Sequence, residues 1–451
     1  MRLVVSPSNP LRGSVDIPGD LRIALSALSF GMLVPGPLTL ANVPQSSLVD
    51  RFLGFLSDHG AAFTSEGGKV AFRGSPWPEH VRINDDVPDE ILHQIIGATV
   101  FSAKSVIIEH GAGKRTLIAA PALASLTPVG LDSSDVEYDG DDIVIDGAGF
   151  SPPGIVEAFS GPSVEMILCA SQAASIPVTL AFPPQLAAQS MKLAKLLGCH
   201  VKSGTATDDP NGRNRELTRR LARARGIRAV ETCTCEWHPD AVESLTLPGD
   251  SLIAAAICGA AALIQRSRVT VRRVIWEQDR RGFFEILKRM KGTVSWSPAG
   301  KTELFDTANV TVEWHPLEGI HVTAEQALAM RDELPILAAV ASYASGTTVI
   351  REDGTIPSKG RETFRILARG LVEMGVHVGD FTDGIVLDGR TELNGTAVNV
   401  ADNPAAALAL AVTALGASGE TGIDDVPDEY SSIPELMKIV GTIASPAVPG
   451  R

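Results

Sequence analysis

The chain has 451 residues, 44% of them hydrophobic and 20% charged, which is a globular composition with room for two domains of ordinary size. Its 53 acidic and 39 basic side chains leave a net charge of −14, a surface that repels phosphate backbones and excludes general nucleic-acid binding. Five scattered cysteines (Cys169, Cys199, Cys233, Cys235, Cys258) imply no disulfide framework and fit a reducing cytoplasm. Aromatics are only 5%, so the core must be built from Ala, Leu, Val and Ile. The stretch Met1–Ser8 has no apolar core of a secretion signal, and the Ala-rich runs near 251–265 and 404–416 are too short to span a bilayer. No membrane partner is expected.

In chain order, the first signal is Ile17-Pro18-Gly19-Asp20, a turn that places Asp at the cap of a following helix. A repeat then emerges in which a helix ends near a glycine and a two-stranded ribbon follows. Leu53–Gly60 leads into 61–74 with turn Glu66-Gly67-Gly68, and a second ribbon spans 135–147 around Asp139-Gly140-Asp141. Met191–Gly198 leads into 200–203. Ile286–Gly292 leads into 293–296 and a second strand near 310–314. Leu371–Gly375 leads into 376–389 around Thr382-Asp383-Gly384, and a sixth copy fits around 394–425. Such repetition predicts an α/β architecture with pseudo-symmetry, not one doubly wound sheet. The turn signature returns at Leu247-Pro248-Gly249-Asp250.

Two segments stand apart from the repeat. Residues 213–228 carry seven arginines, which fit either a solvated surface helix or a lid that brings positive charge to an anionic ligand. Cys233-Thr234-Cys235-Glu236-Trp237-His238 offers three metal-ligand types at a loose spacing with no fourth nearby, so no metal is expected. No dinucleotide fingerprint is present, and no cofactor is implied.

The most informative stretch is 330–378. Asp332-Glu333-Leu334-Pro335-Ile336-Leu337-Ala338 opens an apolar helix, Gly346-Thr347-Thr348-Val349-Ile350-Arg351 gives a strand, and Lys359 precedes a helix ending Met374-Gly375-Val376. It resembles the 3-phosphoshikimate 1-carboxyvinyltransferase (EPSP synthase) family. The resemblance covers nearly the whole chain and is strongest after Asp250. It implies two lobes of three helix-plus-sheet units each, with the active-site cleft between them: residues 1–18 plus 250–451 in one lobe and 19–249 in the other, crossing near 17–20 and 247–250. The helices after Asp20 and Asp250 would then aim their N-termini at the cleft.

The family's reaction moves the enolpyruvyl group of phosphoenolpyruvate onto a substrate hydroxyl and needs cations for the phosphate and carboxylate, a base and an acid. The resemblance gives Asp332 the place of the carboxylate that contacts substrate hydroxyls and acts as base. On its own terms Asp332 reads first as a helix N-cap or first-turn carboxylate favoured by the helix dipole. Lys359 takes the place of the Lys in the Lys-Glu-Ser/Thr-Asp-Arg motif. Counting back from Gly375 puts Gly360 on the catalytic Glu and Thr363 on the Arg. Arg361 and Glu362 carry the right charges out of place, and a two-residue bulge would return Glu362 to the Glu slot.

At the first crossing, Leu21 replaces the family Lys and Ser26 its Arg, while Arg22 supplies a cation from a different point. Arg115, after Gly111-Ala112-Gly113-Lys114, takes the place of another phosphoenolpyruvate-binding Arg. Ser163 survives from a Ser-Ser-Gln that holds the substrate phosphate, but Glu165 replaces the Gln and would repel that phosphate. Asp402 survives from Asp-His-Arg, with Asn403 and Pro404 in place of His and Arg, and Ser431 stands where the family has a Lys. The resemblance therefore implies a small anionic substrate and three readings: carboxyvinyl transfer to a different cyclic acceptor, as in specialised metabolism; other acid–base chemistry in the same cleft, such as elimination or cyclisation; or a non-catalytic relative.

Overall fold

The computed structural model describes residues 1–182, 191–204, 231–237 and 243–444, apart from 35, 110–114, 141, 159–160, 196–197, 279, 324–325, 328–329, 331, 352–357, 382–383, 390–391 and 428–431. The Arg-rich segment, His238, Lys114 and Ser431 lie outside the described residues. The helices are α1 (Leu21–Gly31), α2 (Ser47–Asp58), α3 (Leu92–Val100), α4 (Arg115–Leu126), α5 (Gly161–Ala174), α6 (Ser251–Leu263), α7 (Gly282–Arg289), α8 (Leu334–Ala341), α9 (Ser358–Glu373), α10 (Pro404–Leu415) and α11 (Ser432–Ile443). The chain divides into two compact units, Met1–Pro18 with Pro248–Arg451, and Gly19–Leu247.

Among the described residues each unit holds three sheets, and five of the six share one plan, a parallel strand pair extended by an antiparallel hairpin. In the continuous unit, Ser244–Thr246 pairs in parallel with Pro37–Ala41, which runs antiparallel to Lys69–Arg73 and then Ala62–Glu66. His80–Ile83, Ser105–Ile108, Asp142–Asp146 and Val136–Asp139 repeat the order, as do Val156–Glu157, Val178–Phe182, Glu231–Trp237 and Cys199–Gly204. In the other unit the same plan joins Arg12–Asp16, Arg268–Ile275, Asp306–Glu313 and Thr293–Lys301, then His321–Val322, Thr347–Arg351, Gly384–Asp388 and His377–Phe381. The ribbon after Gly292 is longer than its sequence signals suggest. The sixth sheet pairs Ala397–Asn399 with Thr421–Asp424 and is completed by Leu3–Val5 from the chain start, a partner that no local pattern discloses.

The pattern of burial explains the helices. In the discontinuous unit α6, α8 and α10 are Ala-rich and almost wholly buried, and they pack on one another. Small side chains let these backbones approach: a Cβ on Gly259 would meet Val340 at 3.1 Å. With no polar face to present to water, such helices are stable only inside a core. α3 and α5 are the tightest pair of the continuous unit, where a Cβ on Gly97 would fall 2.2 Å from the Met166 carbonyl oxygen. At the first chain crossing, Gly19 donates to the Asn42 carbonyl at 2.9 Å, and a Cβ there would sit 2.1 Å from that oxygen.

Candidate functional site

Three of the buried helices begin on a capped N-terminus. Asp20 caps α1, accepting from the Ile23 amide at 3.0 Å. Asp250 caps α6, accepting from Leu252 and Ile253 at 2.8 and 3.0 Å. Asn403 caps α10, accepting from Ala406 at 2.9 Å. Capping residues satisfy first-turn amides, and a helix N-terminus favours anions. The polar side chains of interest form one cluster within the continuous unit and two within the other.

In the continuous unit the cluster is Ser26, His93, Gln94 and Glu165, on α1, α3 and α5. His93 Nε2 lies 2.7 Å from Glu165 Oε2, and Gln94 Nε2 donates to the same oxygen and to Ser26 Oγ, each at 2.8 Å. All four are buried. Glu165, expected beside a substrate phosphate, turns its carboxylate into this network, and Ser26 is tied to it through Gln94. The negative charge of Glu165 also pushes the Cys169 thiol up, after burial itself. His93 and Gln94 give no signal in the sequence, because their helix carries no charged motif. Ser163 and Arg22 are half-buried, Ser163 in the first turn of α5 and Arg22 one turn before Ser26 on α1. Arg115 is the first residue of α4, and its side chain lies outside the described residues.

In the other unit, Asp332 is exposed immediately before α8, while Glu333 beside it is buried. Glu333 does not cap its own helix. Its carboxyl instead meets Ser251, the first residue of α6, and Arg280, whose Nη2 donates to Ser251 Oγ at 2.7 Å. Burial pushes the Glu333 carboxyl up to about 7; the Arg280 charge works against that, the Asp332 charge adds to it, and the Ser251 hydrogen bond lowers it again. Ser251 is fixed from the strand side: Gly249 donates to the Arg273 carbonyl at 2.9 Å, where the strand Arg268–Ile275 bulges and Arg273 adopts φ 53°. Left-handed backbone at a non-glycine residue is strain that the surroundings must hold. Arg280 carries no signal in the sequence, because an Arg-Arg pair before a helix fits an ordinary surface turn.

The third cluster joins α9 to α10. Asn403 Nδ2 donates to Thr363 Oγ1 at 3.0 Å. Glu362 points outward and pairs with Arg365 at 2.5 Å. α9 is continuous from Ser358, so the bulge that would bring Glu362 into the acid's slot is absent, which corrects the expectation from sequence. The side chains of Lys359 and Arg361, in the first turn of α9, lie outside the described residues. Asp402 is exposed and left-handed (φ 59°), and its amide donates to the Asp425 carbonyl at 2.9 Å. Its neighbour Ala401 (φ 46°) and Asp425 (φ 56°) share that conformation, so three non-glycine residues hold strained backbone around this helix start.

Cys233 and Cys235 Sγ lie 3.8 Å apart on one strand, and among the described residues no group of three His, Cys, Asp or Glu side chains is arranged to hold a metal. No described helix is long and apolar enough to cross a membrane.

The fold is that of the enolpyruvyl transferases. The family model for EPSP synthase (3-phosphoshikimate 1-carboxyvinyltransferase) matches residues 233–438. A 3-phosphoshikimate 1-carboxyvinyltransferase of Anaeromyxobacter sp. (strain K) is 26% identical over 462 aligned positions, covering 98% of this chain and 96% of the relative. That of Thermodesulfovibrio yellowstonii is 24% identical, covering 98% and 99%. Among solved structures, EPSP synthase from Acinetobacter baumannii superposes with a TM-score of 0.75 at 17% identity over 98% of both chains. The enolpyruvyl transferase NikO from Streptomyces tendae gives 0.69 at 16% identity over 97% of both. Over nearly its whole length the chain is thus similar to 3-phosphoshikimate 1-carboxyvinyltransferases, and its C-terminal part matches the family's model.

Proposed function

We propose that the protein transfers the enolpyruvyl group of phosphoenolpyruvate to a hydroxyl of a small cyclic acceptor that lacks the phosphate of the family's usual substrate. The observation that carries this reading is Asp332, exposed at the start of the buried helix α8 in a chain that matches the family from end to end. In the reaction the acceptor oxygen bonds to C2 of phosphoenolpyruvate as its proton leaves to Asp332. C3 gains a proton, then loses one as the C2–O bond to phosphate breaks, giving the enol ether and inorganic phosphate. Lys359 serves the anionic groups and the proton transfers at C3. Arg22, Arg115 and Arg361 are the cations assigned in this reading to the phosphate and carboxylate, with Ser163 and Asp402 as further substrate contacts. The Glu165 network supports the altered acceptor: a carboxylate satisfied by His93 and Gln94 is a poor neighbour for a phosphate. Such an acceptor fits a place in specialised metabolism.

A second reading is favoured by one hydrogen bond. Where the family keeps His and Arg, Asn403 and Thr363 satisfy each other with no charge between them. A hydrogen bond to a charged group contributes on the order of 1.5–3 kcal/mol, so replacing several such groups weakens the hold on phosphoenolpyruvate severely. That favours a protein that kept Asp332 but performs elimination or cyclisation without phosphoenolpyruvate. Phosphate release from phosphoenolpyruvate, measured with a panel of cyclic hydroxy acids with and without a phosphate ester, separates the two. Release with an unphosphorylated acceptor supports transfer. Silence across the panel, together with no calorimetric binding of phosphoenolpyruvate, overturns it in favour of the second reading.

A further inference from the structure

The buried network of the continuous unit holds two hydrogen-bond acceptors that its own members do not serve. Glu165 Oε2 receives two donors, His93 Nε2 at 2.7 Å and Gln94 Nε2 at 2.8 Å. A carboxylate oxygen only accepts, so the bond to it places a His93 proton on Nε2. The second amide hydrogen of Gln94 goes to Ser26 Oγ at 2.8 Å. Turning that amide over would set its carbonyl oxygen against the carboxylate, so its orientation is fixed. Gln94 Oε1 is then left buried with no partner. His93 Nδ1 likewise has no hydrogen-bond partner among the described residues. Gln94 is wholly buried and His93 is 6% exposed. Acceptors left without donors in such a place cost free energy that apolar side chains of the same size would avoid, and such breaches of local rules belong to functional sites.

We infer that His93 is a specificity-determining residue for the ring substrate: Glu165 and Gln94 hold its imidazole so that Nδ1 receives a hydrogen bond from a ring hydroxyl. The inference rests on the reading that the substrate is a small cyclic hydroxy compound without a phosphate. In the neutral ring, a proton on Nε2 makes Nδ1 an acceptor. Such a nitrogen pairs with a hydroxyl and gives nothing to an ionised phosphate or carboxylate oxygen, which has no hydrogen to offer. A site built to pair with a hydroxyl also rejects the analogue that lacks it, because its own polar group is then left unmet. His93 and Gln94 lie in the first turn of α3, and Glu165 lies two residues after the half-buried Ser163 near the start of α5. The side chains of His93 and Glu165 keep 7% and 9% of their surface, so the pair is not sealed from a ligand.

The test crosses protein variants with ligand variants in calorimetry on the full chain. The probes are an unphosphorylated polyhydroxy cyclohexane carboxylic acid and the analogues in which each hydroxyl in turn is replaced by hydrogen. His93→Gln keeps an N–H in reach of Glu165 and removes the ring acceptor. It should weaken the parent acid about fivefold and leave unchanged the affinity for one deoxy analogue, the one without the hydroxyl that meets Nδ1. Equal losses for every analogue, or no loss, would overturn the inference, since a purely structural His93 acts on all ligands alike. Failure of the wild type to bind any of these acids would overturn it together with the substrate class on which it rests. If His93→Gln does not fold, nitrogen-15 NMR of histidine-labelled wild type reads the ring directly. A protonated Nε2 and a bare Nδ1 are expected, the latter shifting with the parent acid and not with that analogue; a proton on Nδ1 in the neutral ring would overturn the inference. Phosphate release from phosphoenolpyruvate tests transfer separately. Its absence would count against transfer and leave the binding result standing.

Discussion

The Asn403 side chain faces two ways at once: its carbonyl oxygen caps α10 through the Ala406 amide at 2.9 Å, and its amide donates to the Thr363 hydroxyl at 3.0 Å. One residue thus closes the start of α10 and ties it to α9. Asn403→Ala should cost about 1 kcal/mol through removal of the cap, read as a fall in the unfolding midpoint. Thr363→Arg combined with Asn403→His should raise affinity for phosphoenolpyruvate at least about tenfold in calorimetry, since one charge-assisted hydrogen bond is worth about 1.5–3 kcal/mol. No gain would mean that the family's anion position is not at this helix start.

Asp332 is exposed, so Asp332→Asn should leave the unfolding midpoint close to that of the wild type while reducing turnover about 10²–10⁴-fold, the range typical of a missing general base. Turnover and unfolding measured on one preparation check this. Unchanged turnover would remove Asp332 from the chemistry.

His93 and Glu165 form a buried pair 2.7 Å apart. His93→Ala should destabilise the protein by about 3 kcal/mol or more, because the carboxylate stays buried with one partner fewer. Glu165→Gln keeps the size and removes the charge, and should strengthen binding of a phosphorylated cyclic acceptor relative to its unphosphorylated form. An unchanged ratio of the two affinities in calorimetry would detach Glu165 from acceptor choice.

Burial lifts the Glu333 carboxyl from its ordinary value of 4.5 to about 7. Folded protein therefore binds this proton more tightly than unfolded chain, and the contribution is fully present below the unfolded value and lost as pH rises through the folded one. A shift of 7 − 4.5 = 2.5 units is worth on the order of 3 kcal/mol. Glu333→Gln should then gain stability relative to the wild type as pH rises from 5 to 8, about 3 kcal/mol in all, measured by denaturant unfolding at a series of pH values.

Gly97 sits where α3 crosses α5, and an added Cβ would meet the Met166 carbonyl oxygen at 2.2 Å. Gly97→Ala should cost about 1–3 kcal/mol even though Ala is the better helix former, because backbone cannot yield as a side chain can. A neutral or stabilising result would mean that the two helices separate freely.

The sequence by itself determined the repeated helix-and-ribbon plan, the capping roles of Asp20 and Asp250, and the α/β class, because each rests on neighbours within a few residues: glycine turns such as Glu66-Gly67-Gly68, alternating strands, a polar residue before an apolar helix. Only the tertiary structure decided which buried polar groups meet. Ser26 meets Gln94 across 68 residues, Glu165 meets His93 across 72, Thr363 meets Asn403 across 40, and Leu3–Val5 completes a sheet with Thr421–Asp424 at the far end of the chain. Hydrogen-bond partners of buried polar groups are chosen by which helix starts pack together, and that choice follows from long-range burial, which no local spacing encodes.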